Sequence, residues 1–202
     1  MKRREKLKYK HLYLILGIIF FSRKSWSDIP KYYKNMLYVG TFNSLYYLLC
    51  RRHLVWEFTP FGFKWAIVRI IHIVIVTPLI ILTYLSNAPN SLFKQIIYTI
   101  KWVVGASFVE FVAHKQKLIM YAHRWNVFWS SLLFTLMFIF SKLFSKNAIL
   151  TIILSCLSTC FFIIKFDVPI NRKKHYSKFI EPLVDLYYHS SLKNFFGHLK
   201  SR

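Results

Sequence analysis

WAIVRIIHIVIVTPLIILTYL, residues 65–85, holds only two ionisable side chains, Arg69 and His72, in 21 positions. A helix rises about 1.5 Å per residue, so this run covers roughly 30 Å, the thickness of a bilayer's hydrocarbon core. A soluble domain of this size has little use for such a segment. The sequence therefore reads as an integral membrane protein.

Composition agrees with that reading. The 202 residues are 55% hydrophobic and 19% aromatic, with a mean hydropathy of +0.37, whereas an ordinary soluble domain is apolar at roughly the 45–50% level. The excess falls in blocks, the pattern of membrane segments. Lys and Arg number 29 against 7 Asp and Glu, a net charge of +22. The bases sit in the gaps between apolar blocks, where anionic headgroups would lie, and no nucleic-acid-binding module is recognisable. Anionic lipid is thus an expected partner and nucleic acid is not. Cys50, Cys156 and Cys160 form no CxxC pair. Cys156 and Cys160 share a helical face in an apolar run and read as small packing residues.

Outward from residues 65–85, five further spans are expected, near 12–22, 32–50, 96–113, 126–141 and 148–164. Together they give an all-α polytopic membrane helix bundle of about six transmembrane helices, a single unit over residues 1–165. The first apolar run, LYLILGIIFF, is short for a span. It follows a basic N-terminus like a signal peptide, but no small-x-small cleavage pattern follows it, so it is expected to be retained. Pro30, preceded by Ser27 and Asp28 as candidate caps, marks the start of the second helix. Tyrosine pairs at both ends of that helix suit the headgroup belt. Pro78 predicts a kink in the third span, and Pro60 with Gly62 marks a loop before it. Residues 166–202 form a basic tail in which Ile180, Leu183, Val184, Tyr187 and Phe195 recur at helical spacing, an amphipathic helix suited to the membrane surface. No internal repeat is visible, so an inverted-repeat transporter has no direct support.

Charge counting sets the orientation. With six spans and the N-terminus inside, the inner segments hold 20 bases and the outer ones 7. If the first run does not cross, the two sides split 13 to 14 and the bias vanishes. The positive-inside tendency favours six spans with both termini cytoplasmic.

Ionisable groups within apolar spans need a reason. Arg69 and Glu110 both lie near the cytoplasmic edge and are expected to pair if the third and fourth spans are neighbours. His72 shares a face with Arg69, and His114 with Glu110. A polar site at the inner face, made by Glu110, Arg69 and His72 with Glu57 beside them, is the sharper reading of that ion pair; a purely structural pair is the plainer one. Lys101 reads as a snorkelling residue near the outer end of its span. Gly105, Ala106 and Ser107 would let a neighbouring helix approach. No HExxH, phosphate-binding glycine loop or GxSxG is present, and no catalytic, cofactor or metal-ligating residue can be assigned.

The stretch SFVEFVAHKQKLIMYAHRWNVFWSS, residues 107–131, resembles the signature of an uncharacterised family of small multi-pass membrane proteins found mainly in spore-forming Gram-positive bacteria (Bacillus and Clostridium type). The matching positions are Glu110, Tyr121, Trp125, Trp129 and Ser130. In YYLLCRRHLVWEFTP, Trp56, Glu57 and Pro60 are similar to a second recurrent piece. One departure is His123-Arg124, where the pattern has a glycine just before the tryptophan. The resemblance covers about residues 26–165 and implies a membrane location and a multi-helix fold, with Tyr121 and Trp125 added to the candidate site. It implies no activity.

The leading functional expectation is a non-enzymatic accessory, sensor or immunity-type component that acts through contacts inside the membrane, with a membrane protein or a second copy as partner. The alternative is a small carrier or channel using Glu110, Arg69 and His72 as a proton or ion site.

Overall fold

A computed structural model describes residues 2–50, 53–59 and 64–169, with side chains from residue 12 onward. The tail helix expected around Ile180–Phe195 and the loop marked by Pro60 and Gly62 lie outside the described residues. Six long helices dominate: α1 (Lys2–Ser22), α2 (Ile29–Leu49), α3 (Trp65–Ser86), α4 (Leu92–Lys115), α5 (Val127–Phe144) and α6 (Ala148–Lys165). Helices α3, α4, α5 and α6 are long and apolar enough to cross a membrane. Their bounds follow the expected spans to within about a turn. The largest extension is at the start of α4, which begins at Leu92.

The connectors gather at two opposite ends. At one end, Asn35 at the start of α2 donates through Nδ2 to the carbonyl of Ser141 (2.6 Å) and to Ser145 Oγ (2.7 Å) at the end of α5. There too, Tyr84 of α3 bonds Thr99 of α4 at 2.9 Å between their hydroxyls. At the other end, the connectors before α3 and after α4 meet as a two-stranded antiparallel sheet, β1 (Trp56–Phe58) and β2 (Ile119–Tyr121). Nothing in the alternation of apolar residues announces strands this short. They form because connectors of a helix bundle leave backbone donors and acceptors that must find partners near a bilayer.

Between the ends lies an aromatic core. Tyr38, Val39, Ile81, Tyr84, Leu85 and Phe138 are buried together, with Tyr98 and Trp102 packed against them. The ring of Tyr84 lies 4.6 Å from Phe138 and 5.3 Å from Tyr98. On the polar side of this core, Tyr38 Oη meets Ser155 Oγ at 2.5 Å. The hydroxyl-rich face of α6 (Thr151, Ser155) is therefore the buried one, and Cys156 is exposed rather than packed inside.

The irregularity expected at Pro78 takes a specific form. Residues His72–Val76 make a π-turn, closed by the Thr77 N–H on the carbonyl of His72. Proline has no N–H to give the preceding turn, and one extra residue in the turn absorbs the mismatch. Gly40 of α2 faces this turn, and a Cβ there would lie 3.5 Å from the carbonyl of Ile73. That is ordinary van der Waals contact, so the space between the two backbones is about that of one methyl group.

Helix ends account for the remaining backbone. Asn126 and Asn147 cap α5 and α6 by accepting from Trp129 N (3.3 Å) and Leu150 N (3.0 Å). Asp28 occupies the cap position of α2 without a side-chain bond. Helix α4 ends in a Schellman arrangement: Leu118 N bonds Ala113 O and Lys117 N bonds His114 O, both at 2.9 Å, with Lys117 at φ 62°. Helix α6 repeats it with Asp167 at φ 48°.

After β2 the chain reverses through Ala122–Trp125. Trp125 N bonds Ala122 O at 3.0 Å, and His123 and Arg124 have φ of 51° and 65°. Two successive left-handed residues are the mark of a type I′ turn. The tight turn is therefore present although no glycine serves it, at a steric cost to two ordinary side chains. We expect Arg124→Gly to raise stability by about 1 kcal/mol, read as a higher unfolding temperature of the purified protein in detergent.

Candidate functional site

The register Trp56↔Tyr121, Glu57↔Met120, Phe58↔Ile119 places the two connectors face to face, and helix side chains hold each strand from inside the bundle. Tyr46 of α2 grips Trp56 twice: its hydroxyl donates to Trp56 O (2.6 Å) and accepts from Trp56 N (3.0 Å). Glu57 takes Arg69 of α3, with Nε 2.6 Å from Oε1. Tyr121 donates its hydroxyl to Glu110 Oε1 of α4 at 2.5 Å.

These contacts correct the expected ion pair. Arg69 is engaged by Glu57, one strand residue away from the bundle edge, and Glu110 is engaged by Tyr121. The guanidinium also lies over the rings of Tyr47 (5.6 Å) and Trp65 (5.9 Å), so it is fixed on two sides by aromatic faces. The reason is reach: β1 brings a carboxylate to the end of α3 before α4 can present its own.

Two polar clusters result. In the first, His72 opens the π-turn and is enclosed by Asn43, Tyr47 and Thr77. Asn43 Nδ2 lies 3.3 Å and Tyr47 Oη 3.2 Å from His72 Nδ1, and Thr77 Oγ1 lies 3.2 Å from Nε2. With an amide donating to Nδ1, the ring's own proton belongs on Nε2, where Thr77 accepts it. Asn43 donates to the same Thr77 hydroxyl at 2.9 Å. The rings of Trp56 and Phe58, each 5.0 Å away, close the enclosure.

In the second cluster Glu110 is buried, 4% exposed. Ser130 and Trp56 lie beside its carboxylate with Tyr121. Trp125 Nε1 donates to Ser130 Oγ at 2.8 Å, which links Trp125 to the carboxylate through Ser130, while Tyr121 bonds it directly. His114 stacks on Tyr121 at 4.1 Å and donates through Nδ1 to Ile119 O at 3.1 Å. Burial, and then the bond to Glu110, holds the Tyr121 phenol above the usual range. Trp56 borders both clusters, and its indole Nε1 is buried without an acceptor in hydrogen-bonding geometry.

All six candidate residues thus lie at one end, Glu57, Arg69 and His72 in one cluster and Glu110, Tyr121 and Trp125 in the other. Asn43, Tyr46, Tyr47 and Thr77 were not foreseen. The Tyr46-Tyr47 pair carried a signal, but one that pointed to the headgroup belt. Tyr47 is in fact 8% exposed and turned inward.

A third contact ties the connectors together. His53 and His123 stack at 3.4 Å, and His53 Nε2 donates to Phe166 O just past α6 at 3.1 Å. Burial, and then the charge of His53, lowers the pKa of His123 below its ordinary value. No protein-family model, curated protein or solved structure matches the chain.

Two outcomes follow from this geometry. Arg69→Ala leaves a carboxylate that is only 10% exposed without its cation. Because solvent still reaches the pair, the cost should be about 2 kcal/mol, below that of a fully buried one. Combining Glu57→Gln with Arg69→Met should recover most of it, whereas Glu110→Gln with Arg69→Met should not. A double-mutant cycle of thermal unfolding in detergent measures the coupling. For His123 the folded state disfavours the proton, so its contribution is intact above the ordinary histidine value and falls away as pH drops through that value toward the lowered one. Wild type should lose more unfolding temperature between pH 7.5 and pH 5 than His123→Gln does.

Proposed function

We propose that this chain is a six-span protein of a bacterial cell membrane, with both termini cytoplasmic. We further propose that it serves as a non-enzymatic accessory, sensor or immunity-type component working through contacts inside the bilayer. One observation carries the reading. Helices α4, α5 and α6 bury only 17%, 17% and 11% of their apolar spans against the rest of the chain, compared with 39% for α3. The apolar surface left outside is available to lipid and to neighbouring membrane helices. Meanwhile the polar side chains at the sheet end mostly satisfy one another, which suits a rigid platform. Support for the orientation comes from the 20 to 7 distribution of bases and from the sheet, which joins two connectors assigned to the same side. Anionic headgroups are the lipid partner that this charge favours. The resemblance of residues 107–131 to a family of small multi-pass proteins points the same way.

The second reading, a small proton-coupled carrier, is favoured by Glu110 alone. Its carboxylate is buried, accepts from the Tyr121 hydroxyl and lies beside the neutral side chains of Ser130 and Trp56, while the nearby arginine is committed to Glu57. A carboxylate in such a setting can exchange a proton without breaking an ion pair.

Reconstituted vesicles separate the two. With a pH-sensitive dye inside, the accessory reading expects an imposed pH gradient to decay no faster than in protein-free vesicles. Decay driven by the wild type and lost in Glu110→Gln would establish the carrier instead. Orientation is read from Met120, which is 43% exposed on the sheet. In a background lacking Cys50, Cys156 and Cys160, Met120→Cys should react with an impermeant maleimide in inverted vesicles and not in intact cells.

A further inference from the structure

Lys101 lies on α4 and is exposed, on a face shared with Ile97, Ile100, Val104 and Phe108, which are between 40% and 66% exposed. Their spacing puts all five on one outward side of the helix. Lys94 and Lys115 mark the two ends of α4, 21 residues and therefore roughly 31 Å apart, the depth of the hydrocarbon core. Lys101 stands seven residues below Lys94, a drop of roughly 10 Å, and its four-carbon stem spans roughly 6 Å. With Lys94 at the outer edge of the span, the stem covers a little over half of that drop.

Among the described residues, the ion pair is Arg69 with Glu57, and no carboxylate pairs with Lys101. The seven acidic residues are Glu5, Asp28, Glu57, Glu110, Asp167, Glu181 and Asp185. Among the described residues, Glu110 is the one that lies within α3 to α6, and it is 4% exposed and bonded to Tyr121. Helices α3 to α6 of a second copy would therefore present no exposed acid, and two copies meeting through α4 would set lysine against lysine. One turn from Lys101, a Cβ built on Gly105 would touch nothing within 4 Å. The backbone is bare there and open to another helix.

We infer that Lys101 is the contact point on α4 for a transmembrane helix of a different protein that carries an Asp or Glu at matching depth. The ammonium-carboxylate pair neutralises both groups in hydrocarbon, where each alone is costly, and Gly105 lets the two backbones approach beside it. The inference rests on the intramembrane-contact reading for its biological use.

The probe is a fluorescent Leu/Ala guest helix of membrane-spanning length with one Asp about a third of the way in from one end, the depth of Lys101, compared with its all-apolar counterpart. Energy transfer to the labelled full-length protein in lipid vesicles reports association. The Asp guest should associate roughly fivefold or more tightly than the apolar guest, the range expected of a polar contact between membrane helices. Lys101→Leu should erase that preference, and Lys101→Arg should keep it. Equal association of the two guests with wild type would overturn the inference and assign the lysine to lipid headgroups. Disulfide-linked dimers of a Gly105→Cys protein that lacks its native cysteines would also overturn it, by showing a second copy on this face. Either failure leaves the vesicle gradient assay untouched, and a proton flux in that assay removes the accessory reading without altering the guest preference.

Discussion

The register that sets Trp56 opposite Tyr121 is the constraint on which the sheet end of the molecule depends. It is a pairing of three residues with three, far too small to be stable alone. Its strength comes from what the strand residues meet on the two faces of the sheet: the Tyr46 hydroxyl on the Trp56 backbone, Arg69 on Glu57 and Glu110 on Tyr121. A slip by one residue would turn Glu57 and Tyr121 to the opposite face and leave Arg69 and Glu110 as lone charges at the edge of a hydrocarbon layer. The sheet thus fixes the helices as much as the helices fix the sheet.

That mutual dependence explains the division of labour along the bundle. Away from the sheet the helices are joined by rings, Tyr84 with Phe138 and Tyr98, and by single amide contacts such as Asn35 with Ser141. Near the sheet, ring contacts such as His114 on Tyr121 are joined by a denser set of hydrogen bonds between groups that would otherwise be stranded. Aromatic stacking tolerates small displacements, whereas a carboxylate accepting from one phenol does not.

The helices were legible because an apolar run of about 20 residues has few other uses. The nearness of Arg69, His72 and Glu110 to one end was legible for a similar reason: ionisable residues in such runs are confined to the places where they find partners, whereas Tyr121 and Trp125 entered only through the resemblance. What escaped was pairing. Arg69 had two carboxylates within reach of its end of the bundle, and choosing Glu57 over Glu110 required the strand register, which three-residue strands do not advertise. The tyrosines of α2 escaped because an inward phenol and a headgroup-belt phenol look alike in sequence. His123 and Arg124 hid the reversal after β2, since neither residue favours the backbone that the turn imposes on it.

The π-turn at His72–Val76 makes α3 a helix with one residue in surplus. A π-turn carries its extra residue within a single widened turn, so loss of one of those five would restore the regular ladder and move the carbonyl of Ile73 that now lies toward Gly40. The length of this segment, rather than the identity of its aliphatic side chains, is therefore what ties the two halves of α3 to a common neighbour. Exchanges among Ile and Val there should be cheap, and a deletion should not.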